Sequence, residues 1–174
     1  MQATPEPVPT QILGARWPET PIAFCIVRQG PEGYVDHETF VILARRAIEA
    51  WGLPTAFQGD CGGPITPDNG ANEIGWGDLP GDPEGLTEAG ETHIRYRSDR
   101  LGGPPDIIEA DVTIERRPAR GRDTEECLYT TLLHEAGHVF GVPHLTMSNV
   151  MAPIIADCIQ ELTPADHAAL DELY

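Results

Sequence analysis

Residues 134–144 read HEAGHVFGVPH and place three histidines and one glutamate at fixed spacing. His134 and His138 are four residues apart, so on a helix their rings project from nearly the same face and can bind one ion. Gly141 can adopt a positive φ and end the helix, which lets the chain double back and bring His144 to the same point. The spacing therefore predicts a metal site with three imidazole ligands.

The chemistry of such a site depends on its open position and on the glutamate. Three neutral imidazoles suit a borderline metal such as Zn²⁺ and leave a fourth position free for water. Glu135 is rotated by about 100° from His134 around the helix, so it is a poor further ligand but can reach that water. The pattern predicts one catalytic Zn²⁺ bound by His134, His138 and His144, with Glu135 as the general base of a hydrolysis.

The rest of the chain divides into stretches of strand-like and helix-like periodicity. Apolar positions three and four residues apart over 37–51 predict a long helix. Asp123 and Glu126 have capping-box spacing, so the helix that carries the histidines is expected to begin there and run through residue 140. Thr163 and Pro164 open a short final helix. The order predicts an α+β fold with strands near 21–27, 56–58, 73–76, 92–96 and 107–114.

The last of these strands alternates apolar and polar side chains. A period of two indicates that the two sets point to opposite faces of a sheet. We expect one face to be buried and the other to be wet. The apolar set is Ile108, Ala110, Val112 and Ile114, and the polar set is Glu109, Asp111, Thr113 and Glu115.

Length and charge limit the class of protein. A chain of 174 residues is expected to form one domain. It has 28 acidic and 11 basic residues, all of the latter arginines, for a net charge of −17. Nucleic acid and anionic membranes are poor partners for such a chain. No apolar run reaches the roughly 18 residues needed to cross a bilayer, and no signal-peptide pattern opens the chain.

The four cysteines are widely spaced and form no CxxC pair, which disfavours a cysteine-only zinc site. Of three connectivities we favour sequential pairing, Cys25 with Cys61 and Cys127 with Cys158, while four reduced thiols are the alternative. Cys127 is also weighed as a nucleophile, but two helical turns, about 10 Å, separate it from His134. Disulfides lead us to expect a secreted or extracytoplasmic protein whose export signal has been removed.

Met151 lies seven residues beyond His144, in the segment SNVMAP at 148–153. Together with the histidine motif, this segment resembles the methionine-containing turn of metzincin zinc peptidases. NEIGW at 72–76, EADVTI at 109–114 and the closing LTPADHAALDELY are similar to bacterial matrixin-type domains. The resemblance implies a metzincin-like (zincin) fold, with a twisted, mostly parallel sheet that has one antiparallel edge strand, an early long helix, an active-site helix and a C-terminal helix.

The resemblance covers roughly residues 17–174, which we expect to be a single catalytic domain after an extended lead-in at 1–16. It implies that Met151 supports the imidazoles without binding the metal. Our leading hypothesis is a secreted zinc endopeptidase, a monomer by default, whose peptide substrate pairs with an edge strand. The end of the active-site helix and residues 152–155 would line a pocket for a hydrophobic residue just after the cut bond. The alternatives are a zinc-stabilised binding module without turnover, and a peptidase dedicated to one partner or to its own processing.

Some residues depart from the family pattern or invite a further role. Leu145 stands where metzincin subfamilies carry Ser, Glu or Asp, which weakens subfamily assignment but not zinc binding. The stretch 81–92 lacks the pattern of a second, structural zinc, so we expect one zinc ion. A weaker expectation is Ca²⁺ at Asp106, Glu109 and Asp111 beside Gly102 and Gly103, because oxygen ligands suit that ion. Three histidines lack partners at ligand spacing and receive no role: His37, His93 and His167.

Overall fold

The computed structural model describes residues 14–80, 88–97, 104–146, 149–154 and 157–174. Residues 1–13 of the predicted lead-in, as well as Gly102, Gly103 and Ile155, lie outside these ranges. The described chain has an α+β fold with a five-stranded sheet and three helices. In chain order its elements are β1 (Ile22–Ile26), α1 (His37–Ala50), β2 (Thr55–Asp60), β3 (Glu73–Gly77), β4 (Gly90–Arg97), β5 (Asp106–Glu115), α2 (Glu125–Val139) and α3 (Pro164–Asp171).

The strands follow the order β2-β1-β3-β5-β4 across the sheet. β1 is parallel to β2 and β3, and β3 is parallel to β5. β4 lies at one edge and pairs with β5 in the antiparallel sense, with Thr92 opposite Val112. The expected mostly parallel sheet with one antiparallel edge strand is confirmed.

Local capping interactions explain where α1 begins and how it meets the helix that carries the histidines. The carboxylate of Asp36 accepts a hydrogen bond from the N–H of Thr39 at 2.9 Å, which satisfies one of the free donors of the first turn. The indole of Trp51, at the other end, donates to the carbonyl oxygen of Leu133 in α2 at 3.0 Å. With the sheet, α1 and α2 enclose the main hydrophobic core.

The structure corrects the predicted start of α2. Thr124, not Asp123, is the N-cap, because its backbone is extended and its hydroxyl accepts from the N–H of Cys127 at 3.2 Å. Almost every residue of α2 from Cys127 onward is buried, so this helix runs through the core. For α3, the predicted start at Thr163 and Pro164 is confirmed, and Thr163 forms a capping box with Asp166. None of the helices in the described ranges is both long and apolar enough to span a bilayer.

The polar face of β5 is buried, contrary to the prediction. Glu109, Asp111 and Glu115 are each at most 3% exposed. Glu109 accepts from the N–H groups of Asn69 and Gly70, at 3.1 and 2.9 Å. Asp111 likewise accepts from the N–H of Glu73, and Glu115 from that of Leu79. The carboxylates thus bind backbone N–H groups in and around β3. The alternation of apolar and polar residues in the sequence does not reveal that another segment covers the polar face.

A bulge changes which isoleucine of β5 enters the core. Arg95 of β4 pairs with Glu109, but the next residue, Tyr96, pairs with Ile107, so Ile108 is the extra residue on β5. Ile107 is fully buried, whereas Ile108 is partly exposed. The predicted apolar face is therefore correct for the later part of the strand and wrong at Ile108.

Both favoured disulfides are present, Cys25–Cys61 and Cys127–Cys158. The first joins β1 to the residue after β2, and the second joins the first turn of α2 to the segment that follows Met151. No cysteine is free, so Cys127 has no thiol with which to act as a nucleophile. Two disulfides are compatible with an extracytoplasmic protein.

The buried face of β5 generates a prediction about pH. Burial raises the pKa of Asp111 to about 7, and the nearby carboxylates of Glu109 and Glu73 add to the rise. Because the folded-state pKa lies above the unfolded value, this carboxyl stabilises the fold fully only below pH about 4, and the contribution is lost as the pH rises through about 7. We expect Asp111→Asn to gain stability over wild type as the pH rises from about 4 to 8.

Urea unfolding at a series of pH values measures this effect. Asp157→Asn, at an exposed position, is the matched control and should track wild type throughout. A constant stability difference between Asp111→Asn and wild type across the pH range would contradict the prediction.

Candidate metal centre

The end of α2 brings His144 back to the two histidines on the helix. Gly141 has a φ of +85°, its N–H donates to the carbonyl of His138 at 2.8 Å, and that of Val142 donates to Gly137 at 2.9 Å. These two bonds form a Schellman motif, in which the left-handed residue ends the helix and reverses the chain. A Cβ at Gly141 would also collide with the backbone oxygen of Ala15. Only glycine therefore fits the turn on which the position of His144 depends.

The three predicted ligands converge. The Nε2 atom of His138 lies 3.1 Å from that of His134 and 3.1 Å from that of His144, and the remaining pair is 3.2 Å apart. Two nitrogens bound to one tetrahedral Zn²⁺ at about 2.05 Å would be about 3.3 Å apart. The triad accordingly fits a single metal ion, and imidazole nitrogens suit zinc, copper, iron or nickel.

Hydrogen bonds to carbonyl groups fix which nitrogen of each helical histidine is free. Nδ1 of His134 lies 2.6 Å from the carbonyl oxygen of Val150, and Nδ1 of His138 lies 2.8 Å from that of Val142. A carbonyl oxygen only accepts, so each Nδ1 carries the proton and each Nε2 of the neutral ring presents a lone pair. Both rings are therefore held in the tautomer that binds a metal through Nε2.

Burial keeps these rings neutral. It lowers the pKa of His134 to about 4 and that of His138 to about 3, the latter also because His134 lies beside it. Burial lowers the pKa of His144 as well. A metal ion competes with protons for the same lone pairs, so a site that disfavours protonation is ready to bind metal at neutral pH.

The carboxylate of Glu135 lies between α2 and the edge strand β4 and is only 4% exposed. Its Oε2 atom accepts a hydrogen bond from the hydroxyl of Thr92 at 2.6 Å. Burial raises the pKa of Glu135 to about 8, although the Thr92 hydrogen bond opposes the rise. The group can therefore take up or release a proton near neutral pH.

Met151 is fully buried beneath the helix that carries the histidines. A Cβ at Gly137, one residue before His138, would collide with its sulfur and would lie 2.6 Å from the ring of Trp51. Gly137 thus leaves the space that Met151 fills, and the flexible thioether packs directly against the backbone of α2.

Sequence reasoning missed one residue that orients the site. Asp166 of α3 received no role in the site from the sequence. Its buried carboxylate also accepts from the N–H groups of Val150 and Met151, at 3.2 and 3.1 Å. The carbonyl oxygen of the same Val150 accepts a hydrogen bond from His134. Asp166 therefore holds the backbone segment that orients the His134 ring. An acidic residue in the first turn of a helix is the sign that Asp166 gives in the sequence, and it does not reveal this contact.

The remaining candidates do not join the triad. Among the described residues, Asp106, Glu109 and Asp111 form no convergent group of ligand atoms, so the structure adds nothing to the calcium expectation. His37 pairs with Asp60 at 2.8 Å. His93 and His167 are exposed and lie in no such group within the described ranges.

Comparison of the chain with protein-family models and with curated proteins finds no match. The metzincin resemblance therefore depends on the sequence motifs, and the metal site on the convergence of the three histidines.

The role of Asp166 can be tested through metal affinity. Asp166→Ala leaves the buried N–H groups of Val150 and Met151 without an acceptor, at about 1–3 kcal/mol each. We expect the free energy of unfolding to fall by about that amount per group, and zinc affinity to fall by about 10–100-fold because His134 loses its orientation. Asp166→Asn, which keeps one oxygen, should show smaller losses of both.

Urea unfolding of the metal-free protein and competition with a chromophoric zinc chelator supply the two measurements. Asp171→Asn is the control, since Asp171 lies on the exposed side of the same helix. If both Asp166 variants bound zinc as tightly as this control, Asp166 would have no part in orienting the site.

Proposed function

We propose that this chain is a zinc-dependent endopeptidase of the metzincin type, closest to bacterial matrixin-type domains. The observation that carries the proposal is the convergence of three Nε2 atoms within 3.2 Å, on a helix that also carries a buried carboxylate at Glu135, the residue after His134. A helix, a glycine turn and a following histidine produce this convergence, as the HExxHxxGxxH pattern requires.

His134, His138 and His144 would hold the metal. When bound there, Zn²⁺ supplies a Lewis acid that polarises a substrate carbonyl and lowers the pKa of a water molecule. The carbonyl groups of Val150 and Val142 keep the proton on Nδ1 of the two helical rings, which directs both Nε2 lone pairs to one point. Hydrogen bonds of this kind also make the imidazoles more basic and so better ligands.

Glu135 carries the proton. Its carboxylate takes a proton from the attacking water at one oxygen, and the same group then delivers a proton to the amine of the departing fragment. Burial raises the pKa of Glu135 to about 8, so this carboxyl retains a proton more readily than an exposed glutamate does. Thr92 holds the other oxygen in place.

A peptide substrate has a natural place along β4. This strand pairs only with β5 in the described part of the chain, and an extended peptide can add to a free strand edge through backbone hydrogen bonds. The contact between Thr92 and Glu135 would bring such a peptide close to the proton-carrying group. Beyond Met151, Ile154 is 70% exposed, which suits a hydrophobic substrate residue just after the cut bond. We propose that the enzyme acts outside the cytoplasm as a monomer.

A second candidate is a zinc-stabilised module without turnover. One observation favours it: Glu135 is nearly inaccessible and already has a hydrogen-bond partner in Thr92, as a purely structural carboxylate would. The two candidates differ in what they expect from a substitution that removes the carboxylate but keeps its shape.

For the peptidase, Glu135→Gln should lower kcat/KM by about 10²–10⁴-fold while the zinc content stays at one ion per chain, since glutamine cannot carry the proton. Hydrolysis of casein and of a peptide library, with mass-spectrometric mapping of the new termini, measures the rate and the cleavage preference. Glu125→Gln, an exposed position on the same helix, is the control and should cleave as wild type does.

Equal rates in wild type and Glu135→Gln would favour the module, including equal zero rates on these substrates and on a panel of secreted proteins. Cleavage of a single protein in the panel, or of the chain itself, would instead identify a dedicated peptidase.

A further inference from the structure

We propose that the edge strand β4 positions the Glu135 carboxylate for turnover, through the hydroxyl of Thr92 and the absence of a side chain at Gly90. We call these two residues the β4 cradle. The inference rests on the proposed function, because it concerns the alignment of the proton-carrying group. Neither residue belongs to the HEAGHVFGVPH segment or to the methionine turn.

The Thr92 hydroxyl holds one oxygen of the carboxylate. Its Oγ1 atom lies 2.6 Å from Oε2 of Glu135 and 3.2 Å from the backbone oxygen of the same residue. A hydroxyl has one proton to donate, and the contact of 2.6 Å with Oε2 is the shorter of the two. Thr92 therefore fixes Oε2 and leaves Oε1 as the oxygen that can exchange a proton.

Gly90 supplies the space for the rest of the carboxylate. It is two residues before Thr92 and so belongs to the same face of β4. A Cβ at Gly90 would lie 2.8 Å from both Cγ and Oε1 of Glu135, and real Cβ atoms do not approach carbon that closely. A side chain at residue 90 would thus force either the Glu135 side chain or the strand to shift. The strand contacts Glu135 at both oxygens, with a hydrogen bond at one and a close backbone approach at the other.

This arrangement couples substrate placement to the proton carrier. In the proposed function, the peptide adds to the free edge of the same strand whose inner residues hold Glu135. A single strand then sets the distance between the peptide and the carboxylate, which matters because misplacement by about 1 Å can cost roughly 100-fold in rate. The β4 cradle should accordingly affect kcat and leave KM and metal binding largely unchanged.

The test compares Thr92→Val, which removes the hydroxyl and keeps the shape, with Thr92→Ser, which restores the hydroxyl. In the zinc-loaded protein we expect Thr92→Val to lower kcat by about 10–100-fold, with KM within about twofold and one zinc per chain. Thr92→Ser should recover most of the lost kcat, and Gly90→Ala should also lower kcat. Thr113→Val on β5 is the matched control, because Thr113 belongs to the same sheet and, within the described part of the chain, makes no hydrogen bond to Glu135.

A kcat for Thr92→Val within about twofold of wild type would overturn the proposal, as would a loss of kcat that Thr92→Ser fails to recover.

A second measurement separates failure of the β4 cradle from failure of the proposed function. If wild type cleaves no substrate, the proposed function fails. The thermal unfolding midpoint of the zinc-loaded protein then tests whether the β4 cradle acts on Glu135. Thr92→Val should lower the midpoint by about 2–4 °C when Glu135 is present and by clearly less in a Glu135→Ala chain. An equal fall in both chains would show that Thr92 does not act through Glu135.

Discussion

Three imidazole nitrogens lie within 3.2 Å of one another, and the two on the helix present lone pairs that repel unless a cation lies between them. The fold supplies the means of holding them there. Carbonyl groups of Val150 and Val142 orient two of the rings, and the Schellman turn at Gly141 returns the chain toward the third. A metal ion bound between the rings would offset this repulsion and would explain why these features occur together.

Carboxylates that accept hydrogen bonds from backbone N–H groups recur through the molecule. Glu109 binds two consecutive N–H groups of the connection before β3, and Asp166 binds two consecutive N–H groups of the methionine turn. Neither backbone segment is part of a helix or strand, so its donors need partners from elsewhere. In a chain with 18 glycines, 17 prolines and a large acidic excess, buried carboxylates accept the backbone hydrogen bonds that helices and strands would otherwise satisfy.

The parts of the site that could be predicted are those fixed by local geometry. His134, His138 and Gly141 are close in sequence, so helix periodicity and one glycine turn were enough to identify them. Thr92 and Glu135 are 43 residues apart, and their contact depends on how β4 packs against α2, which no local pattern records. The same limit explains the error on β5, because alternation shows which side chains share a face and not whether another segment covers that face.

Zinc-edge anomalous diffraction from crystals of the zinc-loaded protein tests the central claim most directly. The account predicts one anomalous peak, about 2.0–2.1 Å from Nε2 of each of the three histidines. It would be contradicted by a map in which the three rings point apart, or in which zinc lies elsewhere and the space between the rings holds no ion.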